Sequence, residues 1–187
     1  MENVMFAIAA AAAMAATPAL AGTINAEVRF GDVRGGQYPD STEYKIDYSA
    51  PLNSLLNYGA ELTVKQKNGA GPLTSKVAAR VGPALPVILG FKTQAYGEVG
   101  QSLSTGDDYM FWGAGVKTSH KLYGPVSVSA GYRHRSAFND VGRLNEERLN
   151  AGLGADIGRG NIVGVTYYRT TGTTRADAIG VGLTHTF

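Results

Sequence analysis

The chain has 187 residues, of which 17 are Lys or Arg and 15 are Asp or Glu, so its formal net charge is only +2. This balance argues against a nucleic-acid-binding protein that relies on attraction to phosphates. The absence of Cys excludes a disulfide framework, a thiolate nucleophile and a Cys-ligated zinc site. Gly supplies 25 residues, about twice its usual share, so bare backbone must be useful at many positions.

The N-terminal segment has the pattern of a cleaved signal peptide. Residues 4–16 form an uncharged run, although no Lys or Arg precedes it. As a helix this run spans about 20 Å, short of the ~30 Å hydrocarbon core of a membrane. Residues 19–21, Ala-Leu-Ala, offer the small residues that signal peptidase accepts. We therefore predict a signal peptide at residues 1–21, export by the Sec pathway and one mature domain at residues 22–187. A membrane anchor or an Ala-rich packed helix is the alternative.

From residue 22 onward, apolar and polar residues alternate with a period of two, the period of β-strands. In the first segment Ile24, Ala26 and Val28 alternate with Asn25 and Glu27. None of the segments keeps a helical period. The ten predicted strands cover residues 24–30, 44–48, 58–65, 76–81, 91–99, 110–117, 126–133, 148–157, 163–168 and 179–187.

Sequences that favour turns separate these ten segments and make nine connections. Proline cannot donate to a sheet ladder, and all six prolines after residue 21 fall in connections, at Pro39, Pro51, Pro72, Pro83, Pro86 and Pro125. The even-numbered connections are mostly tight, whereas the odd-numbered ones tend to be longer and more polar. Both chain ends are therefore expected at the end of the tight turns, as in an up-and-down barrel of the outer membrane.

Alternation alone does not tell which face of the strands points inward, because a soluble barrel of the lipocalin type would show the same period. Many polar-face positions are Gly or Ser, which a narrow lumen needs if long charged side chains are to fit. Aromatic residues also cluster at strand ends, as in the girdles of membrane barrels, at Phe30, Tyr44, Tyr48, Tyr58, Tyr123, Tyr132, Tyr167 and Phe187. The sequence therefore predicts an all-β, transmembrane, up-and-down antiparallel β-barrel of about ten strands, with eight to twelve possible.

The last segment, Ile179-Gly-Val-Gly-Leu-Thr-His-Thr-Phe187, alternates and ends in Phe. It resembles the C-terminal signature of bacterial outer-membrane β-barrel proteins, and the signal peptide and the alternation extend this resemblance over the whole chain. The resemblance implies a place in the outer membrane of a Gram-negative-type cell, contact with its lipid, and recognition of Phe187 by the barrel-assembly machinery. In size the chain is similar to OmpA/OmpX-like barrels, and its basic lumen is similar to that of the longer oligogalacturonate-type porins. No motif assigns it to either subfamily.

By the alternation, eleven basic and seven acidic residues point into the lumen, an excess of four positive charges. The candidate pore-lining residues among them are Arg29, Lys45, Asp47, Glu61, Lys65, Lys76, Arg80, Lys92, Glu98, Lys117, Arg133, Arg148 and Asp156. The inward set is completed by Glu27, Glu43, Lys67, Arg135 and Glu146. Because rings of basic residues favour negative solutes, the sequence predicts a narrow, porin-like passive channel that mildly favours small anions.

Two alternatives stay open beside the channel. Opposite charges inside a small barrel can pair and plug it, and Tyr96, Phe111 and Tyr168 also point inward, which would give a closed structural or surface-interaction barrel. An outer-membrane hydrolase has less support, because all three histidines (His120, His134 and His185) fall on the apolar face or near strand ends. No metal-ligand spacing or phosphate-binding loop is present. We therefore expect no catalytic site, metal or cofactor, and no nucleic-acid partner.

Overall fold

The computed structural model describes residues 21–31, 41–67, 73–104, 108–139, 144–173 and 175–187. The predicted signal peptide lies outside these ranges except for its last residue, so its presence and its cleavage stay predictions. No helix in the described ranges is long and apolar enough to cross a membrane.

The described residues form ten β-strands, each of which contains or overlaps one of the ten predicted segments. They are β1 (Thr23–Gly31), β2 (Ser41–Pro51), β3 (Leu56–Lys67), β4 (Thr74–Pro83), β5 (Phe91–Ser104), β6 (Tyr109–Lys121), β7 (Val126–Ala137), β8 (Asn145–Gly158), β9 (Asn161–Gly172) and β10 (Ala176–Thr186). Most strands are longer than predicted, because the ladder continues into polar residues near the strand ends. Pro51 and Pro83 are the last residues of their strands, where a missing N–H does not interrupt the ladder.

Each strand pairs antiparallel with its neighbours in sequence, and β1 also pairs with β10, which closes the barrel. The closing register runs from Thr23 opposite Thr186 to Gly31 opposite Ala178. Closure leaves no strand with unpaired backbone groups along its edge. The predicted all-β, up-and-down antiparallel barrel of ten strands is therefore confirmed.

The two ends of the barrel differ. The end that we call the turn end carries the second, fourth, sixth and eighth connections, and there the Phe187 N–H donates to the Gly22 carbonyl at 3.0 Å. We call the opposite end the loop end; it carries the odd-numbered connections, which lie partly outside the described residues. The sequence predicts a tight fourth connection, but residues 84–90 form a longer one. A short bridge from Ile88 to Phe91 forms a small additional turn there.

The apolar face of the alternating strands lies on the outside of the barrel. Large apolar side chains are exposed on nine of the ten strands, and Leu153 in β8 is 62% exposed. The outward residues include Phe30, Val77, Val81, Val99, Trp112, Val116, Leu149, Val165, Val181 and Leu183. A soluble barrel would bury this face, so the lipocalin-type alternative does not fit the structure.

Candidate functional site

Charged side chains from opposite walls of the barrel meet inside it. Arg135 of β7 donates to Glu61 of β3 at 2.8 Å and to Glu98 of β5 at 2.5 Å. Three strands separate β3 from β7 in the wall. These two side chains can therefore meet only across the lumen, which identifies the charged face as the inner one.

Glu61 is the centre of this arrangement, and its side chain is only 2% exposed. Its carboxylate forms ion pairs with Lys45 at 3.2 Å, Arg133 at 3.3 Å and Arg135 at 2.8 Å, and with Arg80. Four cations around one carboxylate repel each other unless further acids lie nearby. The neighbouring carboxylates supply this compensation.

Two of these carboxylates lie on β2 and β5. Arg80 donates to Asp47 at 2.7 Å and to Glu98 at 2.9 Å, and Lys45 contacts Asp47 at 2.8 Å. Every nitrogen of the Arg80 guanidinium thus donates to a carboxylate. Such fully paired charges are tolerated away from water, whereas unpaired ones are not.

The pairs continue around the wall through β8. Glu146 contacts Arg133 at 3.5 Å, Arg148 at 3.2 Å and Lys76 at 4.0 Å. Arg148 also reaches Glu43 at 3.5 Å. Glu146 and Arg148 therefore link the central group to a further group on β1 and β2.

The further group surrounds Arg29 of β1. Its guanidinium contacts Glu43 at 2.5 Å and Glu27 at 2.8 Å, and it lies 4.1 Å from the ring centroid of Tyr168. The Tyr168 hydroxyl donates to Glu27 at 2.6 Å. We call the whole set the ion-pair network; its members are Glu27, Arg29, Glu43, Lys45, Asp47, Glu61, Lys76, Arg80, Glu98, Arg133, Arg135, Glu146 and Arg148.

An apolar cluster lies next to the network toward the loop end. Phe111 is fully buried and packs with Ala78, Ala137 and Leu144. The Arg135 guanidinium lies 4.8 Å from the centre of the Phe111 ring, so the cluster and the network are in contact. The cluster and the network therefore lie side by side inside the barrel.

Small inward residues make room for the large ones. A Cβ at Gly115 would lie 2.5 Å from the Tyr96 ring, and one at Gly180 would overlap the Glu27 carboxylate. The Tyr96 ring in turn lies 4.8 Å from the Arg80 guanidinium. At these two positions glycine is needed because a Cβ atom would collide with a side chain that extends into the lumen.

The lumen is more open toward the turn end. Several inward residues there are small or neutral and polar, and the Asn25 amide donates to the Thr184 hydroxyl at 2.7 Å. Lys117 and Lys92 are exposed to water, and within the described ranges neither lies within 4.0 Å of a carboxylate. Asp156 is also exposed and accepts a bond from the Gly158 N–H at 2.8 Å.

The structure brings together nine of the thirteen candidate pore residues in the ion-pair network. The other four, Lys65, Lys92, Lys117 and Asp156, form no ion pair within the described part of the chain. Lys65 lines a small cleft at the loop end, beside Glu43 and Arg148. The network also contains Glu27, Glu43, Arg135 and Glu146, which the alternation placed inward but which the pore-lining set omits. A role of any of these residues in permeation stays a prediction.

The three histidines lie outside the lumen. The His134 ring lies 5.5 Å from Trp112 and the His120 ring stacks on Phe91 at 4.5 Å. His185 shares a hydrogen bond of 2.9 Å with Asn161. In the described ranges, no His, Asp or Glu residues form a group of three that could hold a metal ion.

No protein-family model matches the sequence, and the search of curated proteins found no relative. Among solved structures, the chain is similar to the β domain of the Bordetella autotransporter BrkA, with a TM-score of 0.53 and 12% identity over 89% of this chain and 99% of that one. It is also similar to a bacterial polysaccharide outer-membrane secretin, with a TM-score of 0.50 and 10% identity over 79% of this chain and 57% of that one. The KdgM porin in complex with disordered oligogalacturonate gives a TM-score of 0.49 and 10% identity over 88% and 99% of the two chains. At these identities the first two comparisons concern the fold, and the closed antiparallel barrel of this chain is the fold of outer-membrane β-barrel proteins.

Proposed function

We propose that the protein resides in the outer membrane of a Gram-negative-type cell, after Sec export, and acts there as a narrow passive channel for small solutes that favours anions. The outer-membrane location is supported by the exposed apolar face of the barrel, which needs lipid around it. The channel is supported by the water-accessible half of the lumen toward the turn end. The observation that carries the anion preference is Lys117, which is exposed inside the barrel and has no carboxylate partner among the described residues.

The ion-pair network is the narrowest part of such a channel. Its side chains come from seven strands and approach each other across the barrel, so a solute can pass only beside them or by displacing them. Ten strands enclose far less space than the 16–18 strands of wide porins. The expected conductance is therefore small.

The test is single-channel recording from the purified barrel in planar bilayers. We expect discrete current steps and, in a KCl gradient, a reversal potential that shows preference for chloride. Lys117→Glu should lower this preference, because it reverses a charge inside the lumen. The matched control is Arg159→Glu, which makes the same charge change in the eighth connection. A barrel that inserts fully but never conducts would contradict the channel.

A closed structural or surface-interaction barrel is the second candidate, and one observation favours it specifically. Phe111 is fully buried at the loop end of the network and packs there with Ala78, Ala137 and Leu144, as a plugged lumen would require. A closed barrel would show the same insertion into membranes with no current. We do not propose a hydrolase, because none of the three histidines is hydrogen-bonded to a serine or a carboxylate in the described ranges.

A further inference from the structure

Three consecutive connections at the turn end expose large apolar side chains. We call residues 52–56, 84–90 and 122–125 together the apolar rim. Its most exposed large side chains are Leu52, Leu55, Val87, Ile88, Leu89, Leu122 and Tyr123. The N–H of Ala84 donates to the carbonyl of Leu55 at 2.8 Å, so the first two connections form one continuous surface.

The tip of this surface is strained. Leu89 and Gly90 have φ angles of 51° and 79°, a pair of positive values that Asn, Asp and Gly adopt more readily than Leu. The Leu89 side chain is also 88% exposed, so packing within the barrel does not explain why Leu occupies this position. A strained residue with an exposed apolar side chain points to a contact outside the folded chain.

The exposed charge beside two of the three connections is basic. The stretches 81–97 and 109–139 contain no Asp or Glu, and the charged residues nearest to residues 84–90 and 122–125 are the exposed Lys92 and Lys121. Residues 52–56 lie in the uncharged stretch 48–60. The eighth connection at the same end differs, because it is flanked by Asp156 and carries Arg159 in place of apolar residues.

The rim is continuous with the apolar outer face of the barrel. Val81, Phe91 and Val126 lie at the turn end of their strands, are exposed, and belong to that outer face. Apolar and aromatic residues beside basic ones are typical of segments that lie at the boundary between headgroups and acyl chains. We propose that the apolar rim inserts into this boundary in the inner leaflet, so that the lipid-contacting surface is taller on the side of β3 to β6 than on the side of β8 to β10.

This inference rests on the proposed outer-membrane location. Fluorescence quenching by brominated lipids tests the insertion of the rim and the location of the barrel separately. The chain has one Trp, Trp112, which lies on the outer face and reports contact of the barrel with lipid. In a Trp112→Phe background, Leu89→Trp reports on the rim and Arg159→Trp on the eighth connection. All variants are refolded into phosphatidylcholine and phosphatidylglycerol vesicles that carry bromine near the headgroup end of the acyl chains.

We expect the emission of Leu89→Trp to be quenched about threefold more strongly than that of Arg159→Trp, because only the rim reaches the acyl chains. Equal quenching of these two variants, with strong quenching of Trp112 in the native chain, would overturn the inference and leave the location intact. Absence of quenching at Trp112 as well would overturn both. If Leu89→Trp does not fold, as judged by its gel mobility before boiling, Val87→Trp takes its place with the same expectation.

Discussion

At the scale of single residues, Glu61 determines how the lumen is filled. Its carboxylate contacts Lys45 of β2, Arg80 of β4, and Arg133 and Arg135 of β7. No other acid of the network contacts cations from all three of these strands. The Thr63 hydroxyl donates to the same carboxylate at 3.3 Å. Removal of this one negative charge would leave several guanidinium groups close together without their common partner.

We expect Glu61→Gln to lower the free energy of unfolding by about 3–5 kcal/mol, because it breaks a buried set of ion pairs while it keeps the side-chain volume. Urea titration of the barrel in lipid vesicles measures this change. The control is Glu147→Gln, which makes the same substitution at an exposed position of β8 and should change stability by less than about 0.5 kcal/mol. Equal effects of the two substitutions would show that the network does not hold the barrel together.

The alternation predicted that Glu61 and Arg135 point inward, but it did not predict that they meet. Residues that share a face within one strand are related by local geometry alone. A contact between β3 and β7 depends on the register of every strand between them and on closure of the ring. The pore-lining set included Glu61 and omitted Arg135, although the alternation placed both side chains in the lumen.

At the scale of strands, each element has one face toward the lumen and one face on the outside of the barrel. β8 shows this clearly, because exposed Leu149, Leu153 and Ile157 alternate with inward residues such as Arg148 and Asn150. Since the two environments differ in polarity, an outward charge should be costly in the middle of a strand and tolerated near its end.

Leu153→Arg is accordingly expected to lower the free energy of unfolding by about 2–4 kcal/mol in vesicles. Ile157→Arg, on the same face of β8 but at the turn end, should lower it by only about 0–1 kcal/mol. Urea titrations of both variants give the comparison. Small and equal losses would indicate that this face of the barrel meets water.

The fourth connection is the element on which the sequence pattern was misleading. Its Gly and Pro residues predicted a tight turn, whereas the structure has seven residues between β4 and β5. The run from Val87 to Leu89 is apolar, and a short apolar run by itself does not distinguish a strand from an exposed turn. The small bridge between Ile88 and Phe91 resolves this ambiguity.

At the scale of the whole molecule, closure makes the barrel a single unit. Every described strand pairs on both sides, so no strand can leave without breaking two ladders. Closed barrels of this kind resist detergent until they are heated, since all backbone groups are paired within the ring.

We expect the protein extracted from membranes to show heat-modifiable mobility in gels that contain dodecyl sulfate. The unboiled sample should migrate differently from the boiled one, because the closed barrel is compact and binds less detergent than the unfolded chain. Comparison of the two samples on one gel measures the effect. Identical mobility, together with recovery of the protein in the soluble fraction, would contradict the membrane barrel.

The sequence by itself predicted about ten strands and the two faces of each, because an alternation with a period of two is a local property of the chain. Only the tertiary structure decided that β1 pairs with β10, that the apolar face is the outer one, and that acids and bases from opposite walls pair in the lumen. These features depend on contacts between residues far apart in the chain, such as Glu27 and Tyr168, which ring closure brings together. The glycines on the polar face illustrate both kinds of information. The alternation predicted their positions, whereas only the structure showed which side chains occupy the space beside them.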